Sequence, residues 1–350
     1  MTPMIFWGSL AVTLTVGVAM GIAIARYRAS ASESQEHAAR ALVMRHELRR
    51  ALDRDEFVLH YQPTIELGTD LVSCLEALVR WQHPERGLLM PSQFLSVAEQ
   101  DFELMGSLTS WVLRRALADH VAWTKAGHDW AVAVNISAPD LGSLEFADTV
   151  GQILAEAGVR PDRLHLEVTE TELAFDTDLA GQVVGALTAQ GIVMSIDDFG
   201  IGYTSLSQLR TMEVSEVKID RTFLAALPGS EQDRAKVCSL IDLGHSLGCS
   251  VTGVGVEWQD VADWLVDAGC DHGQGYLWLR PRAWTEVAQV FGATTATTAM
   301  TASGQAATRG ALVRAGSGQR RISLRVAGRA LTGNSALRET DATEGDGCLR

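Results

Sequence analysis

The chain is short of several things, and each shortage excludes something. Its five cysteines (Cys74, Cys238, Cys249, Cys270 and Cys348) show neither the paired spacing of a zinc site nor a Cys-x-x-Cys redox motif. Thiol chemistry and a disulfide framework are thereby set aside, and reduced thiols in a cytosolic setting are expected. Positive charge is scarce: Lys and Arg total 29 against 43 Asp and Glu, a formal net charge of −14. That balance argues against a nucleic-acid backbone as the main partner. It leaves room for an anionic substrate, because bound divalent cations can invert a local field. Aromatic residues stop at Phe291, and acids are missing from Thr301 to Arg338, where seven arginines stand. Such a segment cannot bury enough apolar surface to offset its ordering entropy, so 293–350 is expected to be disordered. Its arginines suit acidic headgroups at a membrane surface.

Charge is absent altogether from Met4 to Ala25, "MIFWGSLAVTLTVGVAMGIAIA". As a helix rising about 1.5 Å per residue, this run would span roughly 33 Å, enough for a bilayer core. Arg26, Arg28, Arg40, Arg45, Arg49 and Arg50 follow it, and no Lys or Arg precedes it. The positive-inside rule then sets the N-terminus outside and everything after Arg26 in the cytoplasm. The expectation is a single-pass anchor in the inner membrane over 1–26, with a juxtamembrane linker over 27–40. A cleaved signal peptide ending at "AIA" is the competing reading, against which stand the missing basic n-region and the length of the run. Gly17 and Gly21 form a GxxxG that could pair two anchors.

What is present is an alternation. With 350 residues and 47% hydrophobic content, material for a large core is ample. Strand candidates fall at 57–63, 72–80, 131–137, 164–170, 193–198, 216–220, 250–257 and 273–278. Helical stretches such as Pro91 to Lys125 and Asp233 to Leu247 separate most of them. Eight strands alternating with helices predict an α/β fold, a (β/α)8 TIM-like barrel over 41–292. Only "TIELGTDL" joins the first two strands, too short for a crossover helix, so the first strand should run antiparallel.

In such barrels the reacting groups sit at the carboxyl ends of the strands. Those ends supply Glu76, Asn135, Glu167, the pair Asp197 and Asp198, Lys218 and Gln274. A glutamate at a strand end is usually a solvated rim residue, and an asparagine there is usually a turn former. Taken together, they would be costly unless a cation compensates them. Oxygen ligands from several strands suit Mg²⁺ or Mn²⁺, and an aspartate pair can serve two ions.

The ordered segments "CLEALVRW", "VNIS", "LEVTE", "IDDFGIGYTSL", "VKID" and "QGYLWLRP" resemble the motif series of the EAL domain family, the cyclic-di-GMP phosphodiesterases. The resemblance runs from about Ala41 to Phe291. It implies metal ligation by Glu76, Asn135, Glu167, Asp197 and Asp198 around two divalent ions. It implies that Lys218 steadies a nucleophilic water and that Gln274 lines the same site. Gln62, Leu78 and Arg80 match positions that contact the dinucleotide, the arginine through a phosphate. Glu170 matches a glutamate bracing the "DDFG" loop, whose Gly200 and Gly202 let it bend. The implied reaction opens one phosphodiester of cyclic-di-GMP to linear pGpG, and a homodimer is implied as well. No "GGDEF"-like stretch for cyclic-di-GMP synthesis is visible.

The chain departs from that pattern in "TGVGVE", where the family usually reads "AEGVE": Val254 replaces a glutamate. Glu257 keeps its own register and is expected on the other side of the strand. Ile201 replaces a threonine in the "DDFG" loop. Two readings stay open: a slowed membrane-tethered phosphodiesterase, or a catalytically inactive cyclic-di-GMP receptor signalling by binding or dimerisation. Another metal-dependent barrel enzyme, acting on a phosphorylated sugar, would need the motif order to be coincidence.

Overall fold

The structure, a computed structural model, describes residues 39–173, 177–202, 212–227 and 229–292. The expected anchor (1–26), nearly all of the linker (27–40) and the tail (293–350) lie outside the described residues. No helix of the described residues is long and apolar enough to cross a membrane.

Nine strands are described: β1 (Phe57–Glu66), β2 (Leu71–His83), β3 (Gly87–Leu89), β4 (Ala131–Asn135), β5 (Leu164–Thr169), β6 (Val193–Phe199), β7 (Glu216–Ile219), β8 (Ser250–Val254) and β9 (His272–Gln274). Eight close a barrel in the order β1-β2-β4-β5-β6-β7-β8-β9, with β9 returning to β1, while β3 only extends the edge of β2. β1 is antiparallel to both of its neighbours, as its short connection to β2 requires, and the pairings from β2 and β4 round to β9 are parallel. The tight turn after β1 is completed by Asp70 at φ 59°. Aspartate tolerates the left-handed region better than most residues.

Period-two alternation sorts the strand residues between two environments. Val132, Val134, Leu164, Leu166, Val168, Met194, Ile196, Val217, Ile219 and Val251 are buried between barrel and helices. The intervening positions carry Asn135, His165, Glu167, Ser195, Asp197, Glu216, Lys218 and Thr252, so the polar side chains of these strands gather in the barrel lumen. The outer layer shows the expected helical periodicity. Helix Phe102–Lys125 buries Leu104, Leu108, Val112, Leu113, Ala116 and Leu117.

The expected continuous helix from Pro91 is instead three pieces: a 3-10 turn Pro91–Gln93, a short helix Leu95–Ala98 and the long helix from Phe102. The break has a local cause. Asp101 adopts an extended conformation and accepts from the Leu104 backbone N–H, a helix N-cap that an uninterrupted helix would forbid. Its carboxylate also pairs with Arg45 and Arg49, tying the leading helix (39–53) to the barrel.

Helix Glu231–Ser246 approaches β7 and β8 closely through Gly244. A Cβ at that glycine would stand 2.6 Å from Val251 Cγ2 and 2.8 Å from Val217 Cγ2. Gly244→Ala is therefore expected to cost about 1–3 kcal/mol through overpacking. Thermal unfolding checks this: the melting temperature should fall by roughly 2–4 °C per kcal/mol in a domain of this size.

Candidate active site

The carboxyl ends of the strands converge on one ammonium. Lys218, on β7 and 2% exposed, donates to Glu167 Oε2 at 2.7 Å and to Glu76 Oε2 at 3.1 Å. Glu76, on β2, also accepts from Asn135 Nδ2 at 2.8 Å and Gln274 Nε2 at 2.7 Å. Strand register contributes to the meeting: Asn135 lies opposite Glu167, while on β1 Gln62 lies opposite Glu76 and Thr64, two residues on, opposite Gln274.

The charges are unequally served. Burial pushes Glu76 up, but the Lys218 charge and the three hydrogen bonds outweigh it and hold Glu76 below the usual carboxylate range. Among the described residues Glu167 has no amide donors of that kind; burial and the Glu76 charge drive it well above its ordinary value despite Lys218. Burial also raises Asp197. Asp198 is pushed up to about 6 by burial and by the charges of Asp197 and Asp220. Burial alone would lower Lys218, yet Glu167, Glu76 and Asp197 hold its proton well above the normal lysine range. One ammonium thus faces more carboxylate than it can neutralise.

That imbalance is the test of fit for divalent cations, and the donor set passes it. Glu167, Asp197 and Asp198 would ionise readily beside a cation, and hard oxygen donors suit Mg²⁺ or Mn²⁺. Among the described residues, no three acidic, histidine or cysteine side chains already converge as a metal cluster. Lys218 stands between Glu76 and Glu167, and Asn135 turns its nitrogen to Glu76. An amide flip would offer its oxygen instead.

The "DDFG" segment turns sharply, with Asp198 at φ 54° and Gly200 at φ 100°. Non-glycine residues rarely adopt this conformation, and where they do, the surroundings hold them in it. Here Glu170 Oε2 accepts from the backbone N–H of Gly200 at 3.2 Å and of Gly202 at 3.1 Å. A Cβ at residue 202 would lie 2.5 Å from Glu170 Cδ, so glycine lets the carboxylate approach. Ile201 beside it is exposed.

A cavity of about 580 Å³ opens at this end of the barrel. Gln62, Glu76, Leu78, Asp197, Lys218 and Gln274 line it, and so does Val254. Arg80 is buried, donates to its neighbour's carbonyl (Val79 O) at 2.8 Å, and leaves Nε unpartnered. It does not line that cavity.

Glu257 departs from expectation. It lines the cavity, because β8 ends at Val254 and the chain turns at Gly255, φ 84°, which breaks the alternation that would have turned it away. Arg221, Trp258 and Tyr276, none of them among the site residues expected from the sequence, stand in the same lining, and Glu99 lines an adjoining cavity of about 320 Å³ that shares Glu76 and Leu78. An acid near a helix end and aromatics after a strand carry no spacing signal that marks them out.

The barrel is parallel apart from one reversed strand, and its mouth is acidic and centred on a buried lysine. The chain belongs to the EAL domain family, whose model matches residues 45–281. It is 38% identical over 251 residues to the bifunctional diguanylate cyclase/cyclic di-GMP phosphodiesterase MucR of Pseudomonas aeruginosa, covering 71% of this chain and 36% of that one. It is 40% identical over 245 residues to the cyclic di-GMP phosphodiesterase NbdA of the same organism, covering 70% of this chain and 31% of that one. The chain therefore spans about a third of the length of these curated relatives. Among solved structures, the PaMucR phosphodiesterase in complex with c-di-GMP matches with a TM-score of 0.66 and 38% identity, covering 70% of this chain and 99% of that one.

Lys218→Met would leave Glu76 and Glu167 buried without their cation. The expected cost is about 3–5 kcal/mol near neutral pH, as for other broken buried pairs. Part of that loss should return between pH 7 and pH 5. A carboxyl whose folded pKa is raised is more favourable when protonated, so this stability grows as pH falls. Denaturant unfolding at the two pH values checks both the loss and its sign.

Proposed function

We propose that this chain hydrolyses cyclic-di-GMP, opening one phosphodiester to give linear pGpG, at a rate reduced by Val254. The observation that carries this reading is the convergence of Glu76, Glu167 and Gln274 on one buried mouth around Lys218, in a chain 38% identical to MucR over 251 residues. Glu76, Asn135, Glu167, Asp197 and Asp198 would hold two Mg²⁺ or Mn²⁺ ions. When bound, these supply an acidified water and neutralise charge on the phosphate oxygens.

The chain's own side chains do the positioning. Lys218 keeps its proton, so it acts as a hydrogen-bond donor that steadies the attacking water rather than as a base. Gln274 fixes the Glu76 carboxylate and hence the shape of the mouth. Gln62 and Leu78 line the cavity that receives the dinucleotide, and Arg80 has an unpartnered Nε to offer a phosphate after a side-chain rotation. Glu170 keeps the Asp197–Asp198 turn in place.

The receptor reading is favoured by one observation: Val254 lines the cavity where the family usually has a glutamate. A valine neither accepts a proton nor binds a cation. Membrane tethering through 1–26 with a cytoplasmic barrel, and pairing as a homodimer, complete the proposal; the uncharged run Met4–Ala25 and the following arginines support the first.

The test is a hydrolysis assay on cyclic-di-GMP with Mg²⁺ or Mn²⁺, following pGpG by chromatography, with Val254→Glu beside the native protein. The native chain should turn over slowly, and the glutamate should raise kcat by about 100-fold, the usual worth of a positioned acid–base group. Chelator should abolish both activities. Binding without any native turnover would make the chain a receptor.

A further inference from the structure

Trp258 stands where two ordinary preferences are broken at once. It is 66% exposed, a large apolar ring given to solvent. It is also the N-cap of helix Gln259–Asp267, where it makes no side-chain capping hydrogen bond. Ser, Thr, Asp or Asn at that position would satisfy one of the helix's orphan N–H groups. A residue that forgoes both burial and capping is a poor choice for stability. Its surroundings supply another reason for it: Trp258 lines the 580 Å³ cavity at the barrel mouth, with Leu224, Val254 and Val261 as apolar neighbours in the same lining.

A second exposed ring, Tyr276, lines that cavity too. Its ring is covered by the Arg280 guanidinium, 4.0 Å from the centroid. Trp258 has no ring or cation partner among the described residues. An indole without a ring or cation partner, beside apolar neighbours in a cavity whose polar lining is carboxylates, amides and cations, fits one part of a dinucleotide, the flat face of a base. Loss of the acid at residue 254 extends the same apolar lining.

We propose that Trp258 is a base-stacking residue that holds a purine of the dinucleotide at the barrel mouth, contributing affinity rather than rate. The assignment rests on the cyclic-di-GMP reading above. Stacking on an aromatic ring commonly changes affinity by tenfold or more per base, because every base presents a π-face.

The test uses the full chain, with cyclic-di-GMP binding measured by calorimetry in the presence of a chelator so that no turnover intervenes. Trp258→Thr supplies a neutral cap in place of the ring, and Trp258→Phe keeps an aromatic face. The threonine variant should bind at least tenfold more weakly while melting at the same or a higher temperature, and the phenylalanine variant should stay within about threefold of the native affinity. A structural role would move stability and binding down together. Native binding that Trp258→Thr leaves unchanged within twofold, or weakens only along with a lower melting temperature, overturns the stacking assignment alone. Absence of cyclic-di-GMP binding by the native chain both with chelator and with Mg²⁺ supplied would overturn the functional reading and this assignment with it.

Discussion

Everything at the barrel mouth depends on one buried ammonium shared by two buried carboxylates. Lys218 is 2% exposed and bonded to both Glu76 and Glu167. Burying any of the three alone would be prohibitive. Their mutual attraction, completed by amides from Asn135 and Gln274, makes the arrangement tenable and fixes strands β2, β5, β7 and β9 to a common point. The compensation is incomplete. Glu167 and the aspartate pair remain shifted towards their neutral forms, which is the condition in which a divalent cation gains most by entering.

Much of this was legible in the chain. The eight-strand alternation gave the barrel, and an eight-residue connection, too short for a crossover, gave the reversed β1. Polar residues at strand ends gave Glu76, Asn135, Glu167, Asp197, Lys218 and Gln274, because period two and the carboxyl-end rule together locate a lumen. Legibility failed where local backbone geometry overrides the period. Glu257 enters the cavity because Gly255 turns the chain, and the helix expected from Pro91 breaks because Asp101 caps a new one. Arg80 sits in the right strand, but its guanidinium lies against its own backbone, which spacing cannot reveal.

Val254 and Trp258 read together as a shift in what the mouth does best. One removes a carboxylate, the other places an unpartnered ring, and both line the same cavity. On the proposed cyclic-di-GMP reading, such a site keeps its means of holding an anionic dinucleotide and loses part of its means of attacking it. Such a change leaves the Lys218-centred hydrogen bonds intact, since neither residue takes part in them.

The barrel mouth carries more carboxylate than Lys218 compensates, a deficit that divalent cations would complete. Mn²⁺ binding followed by electron paramagnetic resonance tests it most directly, using the native chain and Asp197→Asn with cyclic-di-GMP present. Protein-bound Mn²⁺ is expected in the native chain, and its loss in the variant. Free Mn²⁺ alone at millimolar concentration, or binding indifferent to Asp197, would contradict it.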